Sequence, residues 1–98
     1  MTFEKREEII RLYDTYQCLL TDKQQAYFED YYFLDLSIGE IAMNHDVSRN
    51  AVFDQLKRVI GILEDYECKL KLVSKVQQVE ALSISVAAKN KILDILKG

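Results

Sequence analysis

Seven apolar residues, Val52, Leu56, Val59, Leu63, Tyr66, Leu70 and Val73, recur at alternating steps of four and three over 22 residues. That is a heptad repeat, and it commits the segment to one long helix with an apolar seam. A seam this regular requires a partner helix. The first helix, the C-terminal segment and a second copy of the chain all qualify, with a partner inside the chain preferred over self-association. Beyond the seam the spacing changes to Val76, Val79 and Leu82, so a break or bend is predicted near Leu70–Ser74. The rest of the chain agrees with helix. It holds no proline and three glycines in 98 residues, too few turn formers for a β-sandwich. Its apolar fraction of 49% supplies a core and argues against disorder. The fold class expected is all-α, at a length suited to one compact unit.

Caps delimit the other helices. The first is predicted over Phe3–Gln17, with Ile9, Ile10, Leu12, Tyr13 and Tyr16 inward and Glu4, Lys5, Glu7, Glu8 and Arg11 outward. Thr21-Asp22-Lys23-Gln24 is a capping box and opens the second, which carries Tyr27, Phe28, Tyr31 and Tyr32 to about Leu34. The aromatic run through Phe33 reads as core in preference to a base-stacking platform. Ser37-Ile38-Gly39-Glu40 is a second capping box, stapled by Leu36 and Ile41, and its helix ends near Asn44. Ser48 opens the long helix, with Val47 and Val52 as staple. A last helix over Ser85–Leu96 is capped by Ser83 or Ser85.

Several function classes are disfavoured. No run approaches the roughly 18 apolar residues of a membrane span. The charged N-terminus has no apolar segment behind it, so no signal peptide and a cytoplasmic location are expected. Cys18 and Cys68 are then reduced thiols, at least one of them buried. One histidine, His45, and two distant cysteines give no metal-ligand spacing. No nucleophile motif and no paired carboxylates stand out: Glu40 reads as a cap, and Glu64, Asp65 and Glu67 as a solvated face. No catalytic residue, metal or cofactor is expected, and neither a membrane nor a small-molecule substrate is an expected partner.

One constellation carries functional information. Leu36–Arg58 has the layout of a helix-turn-helix. Ile41 and Ala42 face inward, Ala42 small because a second helix crosses near it. Val47 plugs the turn, and Val52 and Leu56 bury the inner face of the second helix. Ser48 caps that helix, leaving Arg49, Asn50, Phe53, Asp54, Lys57 and Arg58 outward. Residues near such an N-terminus reach base edges in the major groove. Arg49 suits guanine, Asn50 suits adenine, and Lys57 and Arg58 suit phosphates. Asp54 is repelled by phosphate unless it accepts from a cytosine amine. Phe53 fits a base wedge, a protein-contact anchor or a wide core face, with packing preferred. The basic side chains also fit a plain solvated face. The net charge of −3 divides into −6 over residues 1–47 and +3 over residues 48–98, with +2 on Ser48–Arg58. That disfavours tight non-specific duplex binding by a monomer. A dimer would double the contacts and present two half-sites.

The stretch from Leu20 to Arg58 resembles region 4 of bacterial sigma factors, and is more similar still to the small YlxM family. The blocks that carry this are Leu20-Thr21 with Lys23-Gln24, Tyr31-Tyr32, Asp35 to Ala42, Val47 to Arg49, Ala51-Val52, Asp54, Leu56 to Arg58, and Leu63 to Glu67 with Lys69-Leu70. The resemblance covers roughly residues 3–73. Two positions depart from the pattern: Asp46 stands where glycine is frequent, and Leu34 is apolar where a polar residue is expected, which suggests a local contact. The resemblance implies a sigma-region-4-like helix-turn-helix bundle over 1–73, with a long fourth helix; the tail over 74–98 matches no part of that pattern, and its own spacing and cap predict a C-terminal helical tail that packs on the bundle or extends it. Because that family is encoded beside the GTPase of the signal recognition particle, it further implies a non-enzymatic accessory role in co-translational targeting. The partners it implies are DNA or RNA and signal recognition particle components, and the seam adds a second copy of the chain. The rival expectation is a protein-interaction module of the same fold that binds no nucleic acid.

Overall fold

A computed structural model describes residues 2–97. These form α1 (Phe3–Tyr16), a 3-10 turn (Gln17–Leu19), α2 (Asp22–Tyr32), α3 (Ile38–His45), α4 (Arg49–Leu70), α5 (Leu72–Glu80) and α6 (Val86–Lys97), with no strand among the described residues. The caps form where local chemistry requires them. Both capping boxes are complete at Thr21 and Ser37. The hydroxyls of Ser48 and Ser85 accept from the N–H groups of Ala51 and Ala88 at 3.0 and 3.2 Å. At the second box the backbone N–H and hydroxyl of Ser37 hold the Glu40 carboxyl below the usual carboxylate range.

The seam of α4 is used inside the chain, where it serves two cores. Val52 and Leu56 join Tyr27, Ile41 and Ala42 under the helix-turn-helix. Val59 and Leu63 join Ile9, Leu12, Tyr13, Tyr16, Phe28 and Tyr32 between α1 and α2. Tyr13 stacks on Phe28 with ring centres 4.0 Å apart. This corrects the expectation of one continuous seven-residue seam. Tyr66 is only half-buried, Leu70 is exposed, and Val73 belongs to α5. The first four seam residues are therefore closed to a second copy.

The reason the seam stops is a joint between α4 and α5. Lys71 takes a left-handed conformation, φ 56° and ψ 34°, and ends α4. The Glu67 carboxylate accepts from the Tyr16 hydroxyl at 2.6 Å and from the N–H groups of Val73 and Ser74 at 3.0 and 3.2 Å. The Tyr16 oxygen in turn accepts from the Leu72 N–H at 3.1 Å. Glu67 thus caps α5 with its carboxylate, while its carbonyl accepts from the Lys71 N–H at the end of α4, and it is no member of a solvated acidic face. Burial, then the bond to Glu67, pushes the Tyr16 hydroxyl up to about 12 from a tyrosine's ordinary value near 10. The neutral phenol is the form the fold favours, so its contribution is complete below about pH 10 and lost as pH rises through about 12. Alkaline titration followed by helical circular dichroism is expected to show this loss, and Tyr16→Phe to flatten the part due to Tyr16.

Three other expectations are corrected. Both cysteines are exposed, not buried. Cys18 sits in the 3-10 turn, and Cys68 lies five residues past Leu63, rotated about 140° from the buried stripe. Leu34 is 63% exposed, so little of its side chain is covered by the local contact expected there. Phe33, at the end of α2, is 45% exposed and meets the aromatic core only edge-on, against Tyr13 and Phe28. Arg6 turns inward: its guanidinium bonds the Tyr32 carbonyl and the Asp35 carboxylate and lies over the Tyr32 ring, tying α1 to the end of α2.

The tail is a helical hairpin. α5 packs on α1 and on α6. Neither tail helix contains a fully buried residue.

Candidate nucleic-acid interface

The turn between α3 and α4 is three residues, Asp46, Val47 and Ser48. Asp46 adopts φ 53° and ψ 49°, the left-handed region that Asp tolerates better than most residues. Its N–H and that of Val47 close onto the carbonyls of Met43 and Ala42 at 3.3 and 3.0 Å. Val47 packs against the core under the motif, and Ala42, 5% exposed, permits the crossing of α4.

The motif is anchored to α2. His45 Nε2 lies 2.9 Å from Asp30 Oδ2, with the carboxylate as acceptor, and the imidazole meets Tyr27 edge-on at 4.6 Å. His45 therefore serves as a strut. No group of three or more potential metal ligands occurs among the described residues.

The proposed contact residues share one surface. Ser48, Arg49, Asn50, Phe53, Asp54, Lys57 and Arg58 are all exposed. Arg49, Phe53 and Lys57 form one column of four-residue steps, and Asn50, Asp54 and Arg58 form the next. Val52, Leu56 and Val59 occupy the opposite, buried face. Phe53, at 54% exposure, is not part of a wide core face. Chemically the surface offers guanidinium and ammonium donors, one amide, one carboxylate and one aromatic ring.

Three neighbours of this surface were not legible as such in the sequence. The Arg49 guanidinium lies over Gly39, where a Cβ would meet its nitrogens at 3.1 and 3.2 Å. Glycine there lets the arginine fold back over the first turn of α3. Lys23 and Arg58 flank a hollow of about 240 Å³ between α2 and α4, which Gln55 and Asp54 also line. The buried Oε1 of Gln55 has no hydrogen-bond partner among the described residues. Met43 on α3 is 82% exposed. Lys23 and Gly39 carried a prior signal, within the Leu20-Thr21…Lys23-Gln24 and Asp35 to Ala42 blocks, and Met43 carried none.

Comparison with known proteins agrees with this architecture. A family model described as "Putative helix-turn-helix protein, YlxM / p13 like" matches residues 3–96. A UPF0122 protein of Bacillus thuringiensis is 51% identical over 79 residues, covering 81% of this chain and 72% of the relative. A UPF0122 protein of Bacillus velezensis is 50% identical over 78 residues, covering 80% and 71%. The family match includes most of α6, beyond the roughly residue 73 at which the sequence resemblance stopped.

Proposed function

We propose, from the premise that this chain belongs to the UPF0122 family of YlxM-like helix-turn-helix proteins, that it is a non-enzymatic accessory protein of the signal recognition particle pathway. In this reading the two exposed columns of α4 contact nucleic acid. The observation that carries it is their freedom: Arg49, Asn50, Lys57 and Arg58 project together from a helix whose other face is locked into the core. Helix N-termini held this way are what major-groove readers present. Lys57 and Arg58 stand at the flank, where phosphates would lie, and Lys23 would extend that flank from α2. The net of +2 on Ser48–Arg58 fits modest affinity, since each neutralised phosphate contributes through counterion release.

Fluorescence anisotropy with signal recognition particle RNA and with duplex fragments of the cognate genome tests the reading. Lys57→Ala and Arg58→Ala are each expected to lower the salt slope by about one and to weaken all sequences alike. Arg49→Ala is expected to cost about 1–3 kcal/mol on preferred sites only. Binding indifferent to these changes and to salt would sink the nucleic-acid assignment. The targeting role is checked by capture from native extract with and without nuclease, where recovery of the particle's GTPase or RNA is expected.

A second reading has its own support. Met43 and Phe53, both well exposed, place apolar side chains on the two helices of the motif. Large exposed apolar residues mark protein contacts more than phosphate contacts. If a protein is the ligand, Phe53→Asp and Met43→Ser abolish recovery of the partner, while Lys57→Ala with Arg58→Ala leaves it intact.

A further inference from the structure

The tail hairpin has a physical deficit. Helices of nine and twelve residues are marginal in water without tertiary packing. Yet α5 and α6 contain no fully buried residue. Val86 is 73% and Ile95 74% exposed, and Leu82 and Ile84 in the connecting turn are nearly half exposed. α6 also carries Lys89, Lys91 and Lys97 against the single Asp94, a net of +2. It is a basic helix with uncovered apolar side chains.

The same molecule contains a surface of opposite character. On one side of α1 a groove of about 540 Å³ runs between the start of that helix and α5. Phe3, Leu12 and Val73 supply its apolar lining, with Phe3 72% exposed. Glu4, Glu7, Glu8 and Glu67 line it against the single Arg11. Lys5 approaches Glu8 only to 4.0 Å, an exposed contact that leaves the acidic excess in place. The chain's own α6 does not fill this groove. Leu96 and Lys97 lie in an adjoining hollow with Asp14 and Thr15, which shares Arg11 and Val73 with the groove.

We infer that the protein pairs with a second copy of itself, the outer edge of α6 from each protomer seated in the acid-lined groove between α1 and α5 of the other. The occupant is identified by complementarity, since a basic apolar helix and an acidic apolar groove are both present and both uncovered. Reciprocal seating closes as a two-fold pair and repeats the contact twice. Tail-to-tail pairing would instead set two basic helices against each other. The interface lies away from the buried stretch of the α4 seam and leaves Arg49, Lys57 and Arg58 of both protomers free. It does not rest on the nucleic-acid reading.

Sedimentation of the full chain from micromolar to hundreds of micromolar tests the pairing. A concentration-dependent dimer is expected, weakening at least tenfold in high salt because its charges are screened. Ile95→Asp and the double change Glu4→Lys with Glu7→Lys are each expected to leave monomers whose helical signal and melting cooperativity match wild type. Adding Lys91→Glu to that groove double mutant is expected to restore part of the affinity. A monomer at every concentration, or a ladder of larger species, overturns the inference. So does a dimer broken by Ile95→Asp but indifferent to the groove changes. So does a monomer that binds anionic phosphatidylserine vesicles through Ile95.

Discussion

Leu63→Asp is expected to unfold the protein, not to release folded monomers. Leu63 is fully buried where α4 meets Tyr13, Tyr16, Phe28 and Tyr32. Removing a buried leucine costs about 2–5 kcal/mol. A carboxylate left without a partner there adds several kcal/mol more. Together these approach the whole stability of a domain this size, roughly 5–15 kcal/mol. Thermal circular dichroism checks this, since the variant should lack a cooperative transition. A folded variant of monomer mass would mean that the seam is an intermolecular surface and that the core assignment is wrong.

Glu67→Ala is expected to detach the tail while α1–α4 remain folded. Its carboxylate accepts three bonds, from the Tyr16 hydroxyl and from two N–H groups at the start of α5. The alanine variant leaves these donors without an acceptor, at about 1–3 kcal/mol for each one that water fails to reach. The tail has no fully buried side chain to compensate, and Leu72 and Val73 are only partly buried against the core. Native-state hydrogen exchange should therefore show fast amides in α5 and α6 with protection kept in α4. Glu67→Gln, which retains one acceptor oxygen, should fall between the two. If the joint also orients α6 for the second copy, Glu67→Ala should weaken pairing as well. Wild-type protection in the tail of the alanine variant would falsify the joint.

These two residues mark the boundary of what the sequence could reveal. The heptad spacing identified Leu63 as inward-facing, because a helix brings residues three and four apart onto one face whatever lies opposite. It could not say what lies opposite. α4 divides its stripe between two clusters, and the partners of each come from residues far away in the chain. Glu67 read as one of three acidic residues on a wet face. Its partner Tyr16 is 51 residues away, and no local pattern encodes such a bond. The same limit explains Arg6, which bonds Asp35 across 29 residues.

The contact surface on α4 was legible for the opposite reason. Ser48 caps a helix, and once Val52 and Leu56 point inward, Arg49, Asn50, Phe53, Asp54, Lys57 and Arg58 must point outward. The neighbours that complete that surface, Gly39 beneath Arg49 and Lys23 across from Arg58, depend on how α2, α3 and α4 cross.

The sequence by itself determined the helices, their caps, the turn at Asp46 and the outward face of α4. All of these follow from interactions between residues no more than a few positions apart. Only the tertiary structure decided that the seam closes within the chain, that α4 ends at a joint held by Tyr16 and Glu67, and that the tail stays uncovered beside an acidic groove. Those features depend on which surfaces meet, and a chain sets that by burying its apolar faces together, not by any pattern along its length.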